Sequence, residues 1–202
     1  MTPLVRSEPV ASLIPDEAAY AAAYAALPSW RRAKCDALAF AADRYRSAAA
    51  WMLARRLLAE RGIRADGLAV TEDAFGRPVF DPSVGIAFSL SHSGGRVMAA
   101  VADGPIGCDV EKVGAFRPDV AAECLTADEL AAVLAFPEGE ARGRAFTRLW
   151  VRKESYVKAL GRGLSMDLKS FSALDGATPA GWRFTDHGFA DGHLGCDCRI
   201  KG

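Results

Sequence analysis

Residues 150–163, Trp150-Val-Arg-Lys-Glu-Ser-Tyr-Val-Lys-Ala-Leu-Gly-Arg-Gly163, read as the end of a long helix. That helix is expected to run from about Glu140 to Leu160 and to stop at Gly161. Trp150, Glu154 and Lys158 are spaced by four and fall on one line of it. A Glu-to-Lys pair at this spacing is ordinarily a surface ion pair worth about 0.2–0.5 kcal/mol. The same two side chains carry chemistry only if something charged lies beside the helix.

A partner for that line is found upstream. Ile106-Gly-Cys-Asp-Val-Glu111 reads as a strand, so Asp109 and Glu111 leave one face while Val110 points to the other. Alternating strands often turn acids towards solvent, and the pair alone says little. If the helix lies against this strand, Asp109, Glu111 and Glu154 converge on a hard cation. Carboxylates, water and substrate phosphate oxygens are how Mg²⁺ is usually held. Mn²⁺ accepts the same oxygen ligands.

Working outward, residues 68–110 show short strands separated by turns. Val70, Val79 and the runs 86–90, 97–101 and 106–110 carry the β-formers, with Gly76, Pro78, Pro82, Gly94, Gly95, Gly104 and Pro105 between them. Before them come a short helix over 16–27, stopped before Pro28, and one helical region from about Trp30 to Glu60. After them, Thr126-Ala-Asp-Glu129 is a capping box that opens a helix to about Phe136. Beyond the long helix, 171–174, 182–185 and 194–200 read as strands. Helices, strands, helices and strands, with a break near residue 105, describe an α+β chain of two similarly built halves, 1–105 and 106–202.

Composition closes off several classes. Half of the 202 residues are hydrophobic, and 25 basic side chains balance 25 acidic ones, so a globular chain is expected rather than a disordered one. Zero net charge argues against a general nucleic-acid or membrane-surface binder. Five cysteines without a CxxC pair suggest thiols in a reducing compartment. The longest uncharged apolar stretch, 18–27, is about half the ~20 residues a membrane span needs. Charged residues occupy the positions where a signal peptide would be apolar. A soluble, cytoplasmic monomer is expected.

Charge is nevertheless uneven. Between Arg31 and Arg64 nine cations face three acids, which suits either a solvated helix face or a site for an anionic small molecule. Gly76-Arg77-Pro78 presents a further cation on a stiff turn. Phe88-Ser-Leu-Ser-His-Ser-Gly94 places Ser91, His92 and Ser93 at the end of a buried strand. No GxSxG elbow supports a Ser/His hydrolase, and no GxxxxGK[ST] loop supports a P-loop.

Taken in order and spacing, these four motifs resemble the 4′-phosphopantetheinyl transferases, in particular the larger surfactin-synthetase-activating type with two pseudo-symmetric halves. The motifs are Gly76-Arg-Pro, Phe88-Ser-Leu-Ser-His-Ser, Ile106-Gly-Cys-Asp-Val-Glu and the run 150–163. The resemblance covers roughly residues 28–172. It departs at Ser89, where many members carry Asn, at Cys108, where Ile is usual, and in a short C-terminal part. The fold it implies has helices packed on a small, mainly antiparallel sheet in each half.

The resemblance also implies a reaction. Coenzyme A would donate its 4′-phosphopantetheine arm to a serine of an apo acyl or peptidyl carrier protein, releasing adenosine 3′,5′-bisphosphate. Mg²⁺ would sit on Asp109, Glu111 and Glu154. Glu154 would be the general base, and Lys158 would stabilise or protonate the leaving group. Arg31, Lys34, Arg46, Ser47, Arg77, Pro78, Ser91 and His92 would bind the coenzyme on the first half. Near the metal strand, Lys112, Phe116 and Arg117 would meet the carrier, unless the Phe116 ring is tucked onto the core.

Two rivals stand beside this reading. A Mg²⁺-dependent phosphodiesterase or nuclease explains the acids but leaves 76–78 and 91–92 without a task. A catalytically inactive carrier-protein binder would be favoured by loss of an acid or of Lys158, and all four residues are present.

Overall fold

The computed structural model describes residues 2–201, apart from the Leu164 side chain, and divides into two compact units, Met1–Gly104 and Pro105–Gly202. Among the described residues no helix is long and apolar enough to cross a membrane.

The first unit is built on a three-stranded antiparallel sheet in the order β1-β5-β4, where β1 is Leu4–Pro9, β4 is Ala87–Ser93 and β5 is Arg96–Ala102. Strand β5 takes the centre because its run of Val, Met and Ala offers both faces for burial, and all seven residues are buried. Helices α1 (Val10–Leu13), α2 (Glu17–Ala25), α3 (Ser29–Asp36) and α4 (Ala41–Glu60) accompany the sheet. The small Ala48-Ala-Ala50 run of α4 lies in the core with Trp51, Leu53, Leu57 and Leu58, together with Phe88, Val97 and Val101. A two-stranded hairpin, β2 (Val70–Glu72) with β3 (Pro78–Phe80), carries the Gly76 turn, whose φ of 76° suits glycine.

Two expectations need correction here. The single helical region over 30–60 is two helices, broken at residues 37–40. The Arg44 side chain makes the break possible, because its Nε donates to the Leu38 carbonyl at 2.8 Å. Strand β1 was not expected at all. Its Leu-Val-Arg-Ser-Glu-Pro sequence has no clear alternation, and its ladder is supplied by β5, with Leu4 opposite Val101 and Pro9 opposite Arg96.

The second unit carries a three-stranded antiparallel sheet in the order β6-β8-β7, with β6 Ile106–Lys112, β7 Trp182–Gly188 and β8 His193–Ile200. Its helices are α5 (Pro118–Cys124), α6 (Ala127–Leu134) and α7 (Glu140–Leu160). Helix α6 opens with the expected capping box, and α7 ends at Gly161 in the left-handed conformation. Helix α7 lies directly on β6. A Cβ added at Gly107 would overlap the Ser155 carbonyl oxygen and the Ala159 nitrogen, so glycine is what lets helix and strand backbones touch. At the other end of α7, a Cβ at Gly143 would overlap the Gly114 carbonyl oxygen, where the loop after β6 crosses the helix.

Residues 171–174 form no strand. Their backbone is extended at Phe171 but its polar groups are taken by side chains. The Phe171 carbonyl accepts from Lys153 Nζ at 2.8 Å, and the Ala173 N–H donates to Glu129 Oε1 at 2.6 Å. With those groups engaged, no ladder partner is needed.

Candidate active site

The face of β6 that carries the acids is fixed by Gly107. Residues 107, 109 and 111 alternate onto one face of the strand, and Gly107 is where α7 makes contact, so Asp109 and Glu111 face the helix too. Asp109 is buried and Glu111 half-buried. From the last turn of α7, Lys158 Nζ donates to Asp109 Oδ1 at 2.6 Å.

Glu154 lies one turn earlier on the same line. Burial pushes its carboxyl above the ordinary value; Lys158 opposes this, and the charges of Asp109 and Glu111 add to the rise. The charges of both strand acids therefore reach Glu154. Burial works against the charge of Lys158, but Asp109 outweighs it and holds the ammonium above its usual value. The arrangement couples a carboxylate of raised basicity to a firmly protonated lysine one turn away. Among the described residues, no His, Cys, Asp and Glu side chains are drawn together as a group of three metal ligands. The donor set still suits Mg²⁺, being oxygen only, and this ion ordinarily takes just one or two carboxylates from the protein.

Beneath Glu154 is a pair that no motif singled out. Lys153 and Glu129 are fully buried and form an ion pair at 2.8 Å. Lys153 also donates to the carbonyls of Leu168 and Phe171, and Glu129 accepts from the N–H groups of Thr126 and Ala173. Burial lowers the Lys153 pKa, against the pull of Glu129. The sequence signal was available. Phe146, Leu149, Lys153 and Tyr156 follow helical spacing along one buried stripe, and a lysine on such a stripe demands a buried acid.

In the first unit, Arg31 is interior. Its Nε and Nη2 both donate to the Ser47 carbonyl, at 3.1 and 2.8 Å, and burial pulls its pKa down to about 10. Ser47 is buried beside it, and Lys34 is half-exposed on the last turn of α3. Arg46 pairs with Asp43 and donates to the Gly94 carbonyl at 3.2 Å, which brings it to the β4–β5 turn. His92 is exposed and Ser91 buried at that end of β4. Arg77 sits on the hairpin with its Nε on Asp73 Oδ2 at 3.1 Å, and Pro78 opens β3.

Phe116 lies on the loop after β6. Its ring is half-buried and packs edge-on against Phe146 at 5.6 Å, on the core of the second unit. Lys112 Nζ donates to the Asp191 carbonyl at 2.6 Å, and exposed Arg117 pairs with Asp119.

Residues 105–196 match the family model of the 4′-phosphopantetheinyl transferase superfamily. The chain is 31% identical over 159 residues to the 4′-phosphopantetheinyl transferase psf-1 of Bacillus pumilus, covering 78% of this chain and 68% of that one. It is 30% identical over 181 residues to a 4′-phosphopantetheinyl transferase of Bacillus subtilis, covering 87% and 76%. The chain belongs to the 4′-phosphopantetheinyl transferase superfamily. It is of the Sfp type: the 4′-phosphopantetheinyl transferase Sfp of Bacillus subtilis strain 168 is 29% identical over 143 residues, 70% of this chain and 63% of that one. The α+β architecture with small antiparallel sheets is that expected of the family.

Proposed function

We propose that this chain transfers the 4′-phosphopantetheine arm of coenzyme A to a serine hydroxyl of an apo carrier protein. The serine oxygen forms a bond to the β-phosphorus, the pyrophosphate link breaks, and adenosine 3′,5′-bisphosphate leaves with its electron pair. The observation that carries this reading is the Lys158–Asp109 contact between α7 and β6, with Glu154 one turn earlier and within reach of the charges of Asp109 and Glu111.

Each residue then has a task. Glu154, raised in basicity by its surroundings, takes the proton from the serine Oγ. Lys158 holds its proton towards the departing phosphate oxygen and steadies the charge that develops there. Carboxylates drawn from Asp109, Glu111 and Glu154 would hold Mg²⁺, one or two of them at a time, and when bound the ion supplies neutralisation of the phosphate charge. On the donor side we assign Lys34, Arg46, Arg77, Pro78, Ser91 and His92 to the phosphates and nucleotide of coenzyme A. Buried Arg31 and Ser47 set the packing of α3 on α4 that presents Lys34. On the acceptor side Lys112 and Arg117 would face acidic side chains of the carrier, with Phe116 supporting their loop from the core.

Five buried thiols suit a reducing, cytoplasmic setting. Incubation with coenzyme A, Mg²⁺ and a panel of apo carriers tests the function. A carrier that gains the mass of one phosphopantetheinyl group supports it; phosphodiester cleavage without carrier modification would favour the hydrolytic reading.

A further inference from the structure

The second unit contains a half-open cavity of about 420 Å³ whose floor adjoins the acid strand, Leu194 lying opposite Glu111 and Gly195 opposite Val110 in the β6–β8 ladder. Its apolar lining comes from Phe136, Ala141, Ala145, Val151 and Leu194, with Gly188 and Gly195 as backbone floor. A volume of this size is in the range of small-molecule sites.

Its polar groups differ sharply in how they are engaged. Arg148 is tied to Asp186 at 2.8 Å and to Asp175 at 2.9 Å. His187 Nε2 lies 2.7 Å from Asp197 Oδ1. Arg144 stands apart: it is exposed, and among the described residues no hydrogen bond or ion pair engages its guanidinium. Its Nη2 is carried over the sheet at Gly188, where an added Cβ would lie 3.8 Å away. An uncommitted guanidinium thus stands at the edge of an apolar cavity.

We propose that this cavity binds a medium-chain aliphatic carboxylate, with the carboxylate on Arg144 and the hydrocarbon inside. The planar fork of an arginine matches a carboxylate in a two-point contact. One uncommitted cation suits a single negative charge better than a doubly charged phosphate. The hydrocarbon follows from the walls, and its length from the volume. At about 30 Å³ per water-sized group, the space takes roughly fourteen groups, so a chain of about ten carbons fits. A peptide helix, about 10 Å across, is too wide for a cavity of this volume.

Calorimetric titration of the full chain with decanoate, decanol and butyrate tests the proposal. Decanoate should saturate one site, with decanol and butyrate each weaker by roughly tenfold or more. Arg144→Gln should reduce decanoate to the level of decanol without moving the melting temperature, since the side chain is exposed. Ala141→Phe, which fills the cavity from the start of α7, should remove binding. Absence of saturable decanoate binding, equal affinity for decanol, or unchanged decanoate binding in either variant would overturn it.

Discussion

Lys158 Nζ lies 2.6 Å from Asp109 Oδ1 and ties the last turn of α7 to the middle of β6. Spacing along the helix had offered Glu154 as the natural partner of Lys158. The strand partner is what turns an ordinary helix pair into a cross-element site. It also means that Asp109 is no solvent-facing strand acid, being only 3% exposed.

Exchanging the two helix charges exploits this difference. Glu154→Lys with Lys158→Glu would preserve a simple helix pair but set a carboxylate against Asp109. The exchanged variant should lack transfer activity at every pH and melt below the wild type. Wild-type melting and measurable turnover would restore the surface ion-pair reading.

Gly107→Ala should be costly for a different reason. The new Cβ would meet backbone atoms of Ser155 and Ala159, which cannot rotate away, and α7 must lift off β6. Overpacking of this kind costs about 1–3 kcal/mol or more. Chemical denaturation should show that loss, together with a fall in turnover as Lys158 and Asp109 separate.

The buried pair gives the largest expected stability change. Lys153→Met leaves Glu129 charged and uncompensated in a fully buried site, at a cost of about 3–5 kcal/mol. The double variant Lys153→Met with Glu129→Gln should recover part of that loss. A single variant with wild-type denaturation midpoint would contradict the role given to the pair.

Acid should weaken the second unit through Asp175 and Asp186. Hydrogen bonds from Arg152 and Arg148 lower the Asp175 pKa; for Asp186, burial pulls upward but the same arginines prevail. A carboxylate with a lowered folded pKa contributes stability that is full above its unfolded value and is lost as pH falls through the folded one. The melting temperature should therefore fall from near the ordinary value of 3.8 downward. Replacing both acids by Asn should lower stability at neutral pH and flatten that acid slope.

Legibility in the sequence followed how local each cause is. The stop of α7 at Gly161 and the Thr126 capping box are written in neighbouring residues, and both were readable. The i, i+2 spacing of Asp109 and Glu111 gave their common face but not which face it was; Gly107 settles that only once α7 is seen on it. Strand β1 and the extended segment at 171–174 depend on partners far along the chain. One receives a ladder from β5, and the other gives its polar groups to Lys153 and Glu129. Arg31 shows the same limit, since a cation expected to bind the coenzyme is buried with its guanidinium on the Ser47 carbonyl.

The most direct test compares transfer by the wild type with transfer by Glu111→Gln and Glu154→Gln, read as intact carrier mass in coenzyme A and Mg²⁺. Glu111 and Glu154 are only half-buried, so both variants should keep the wild-type circular dichroism. The wild type should add one phosphopantetheinyl group to an apo carrier while both variants lose most of that activity. Near-normal transfer by the two folded variants would contradict a reaction centred on these carboxylates.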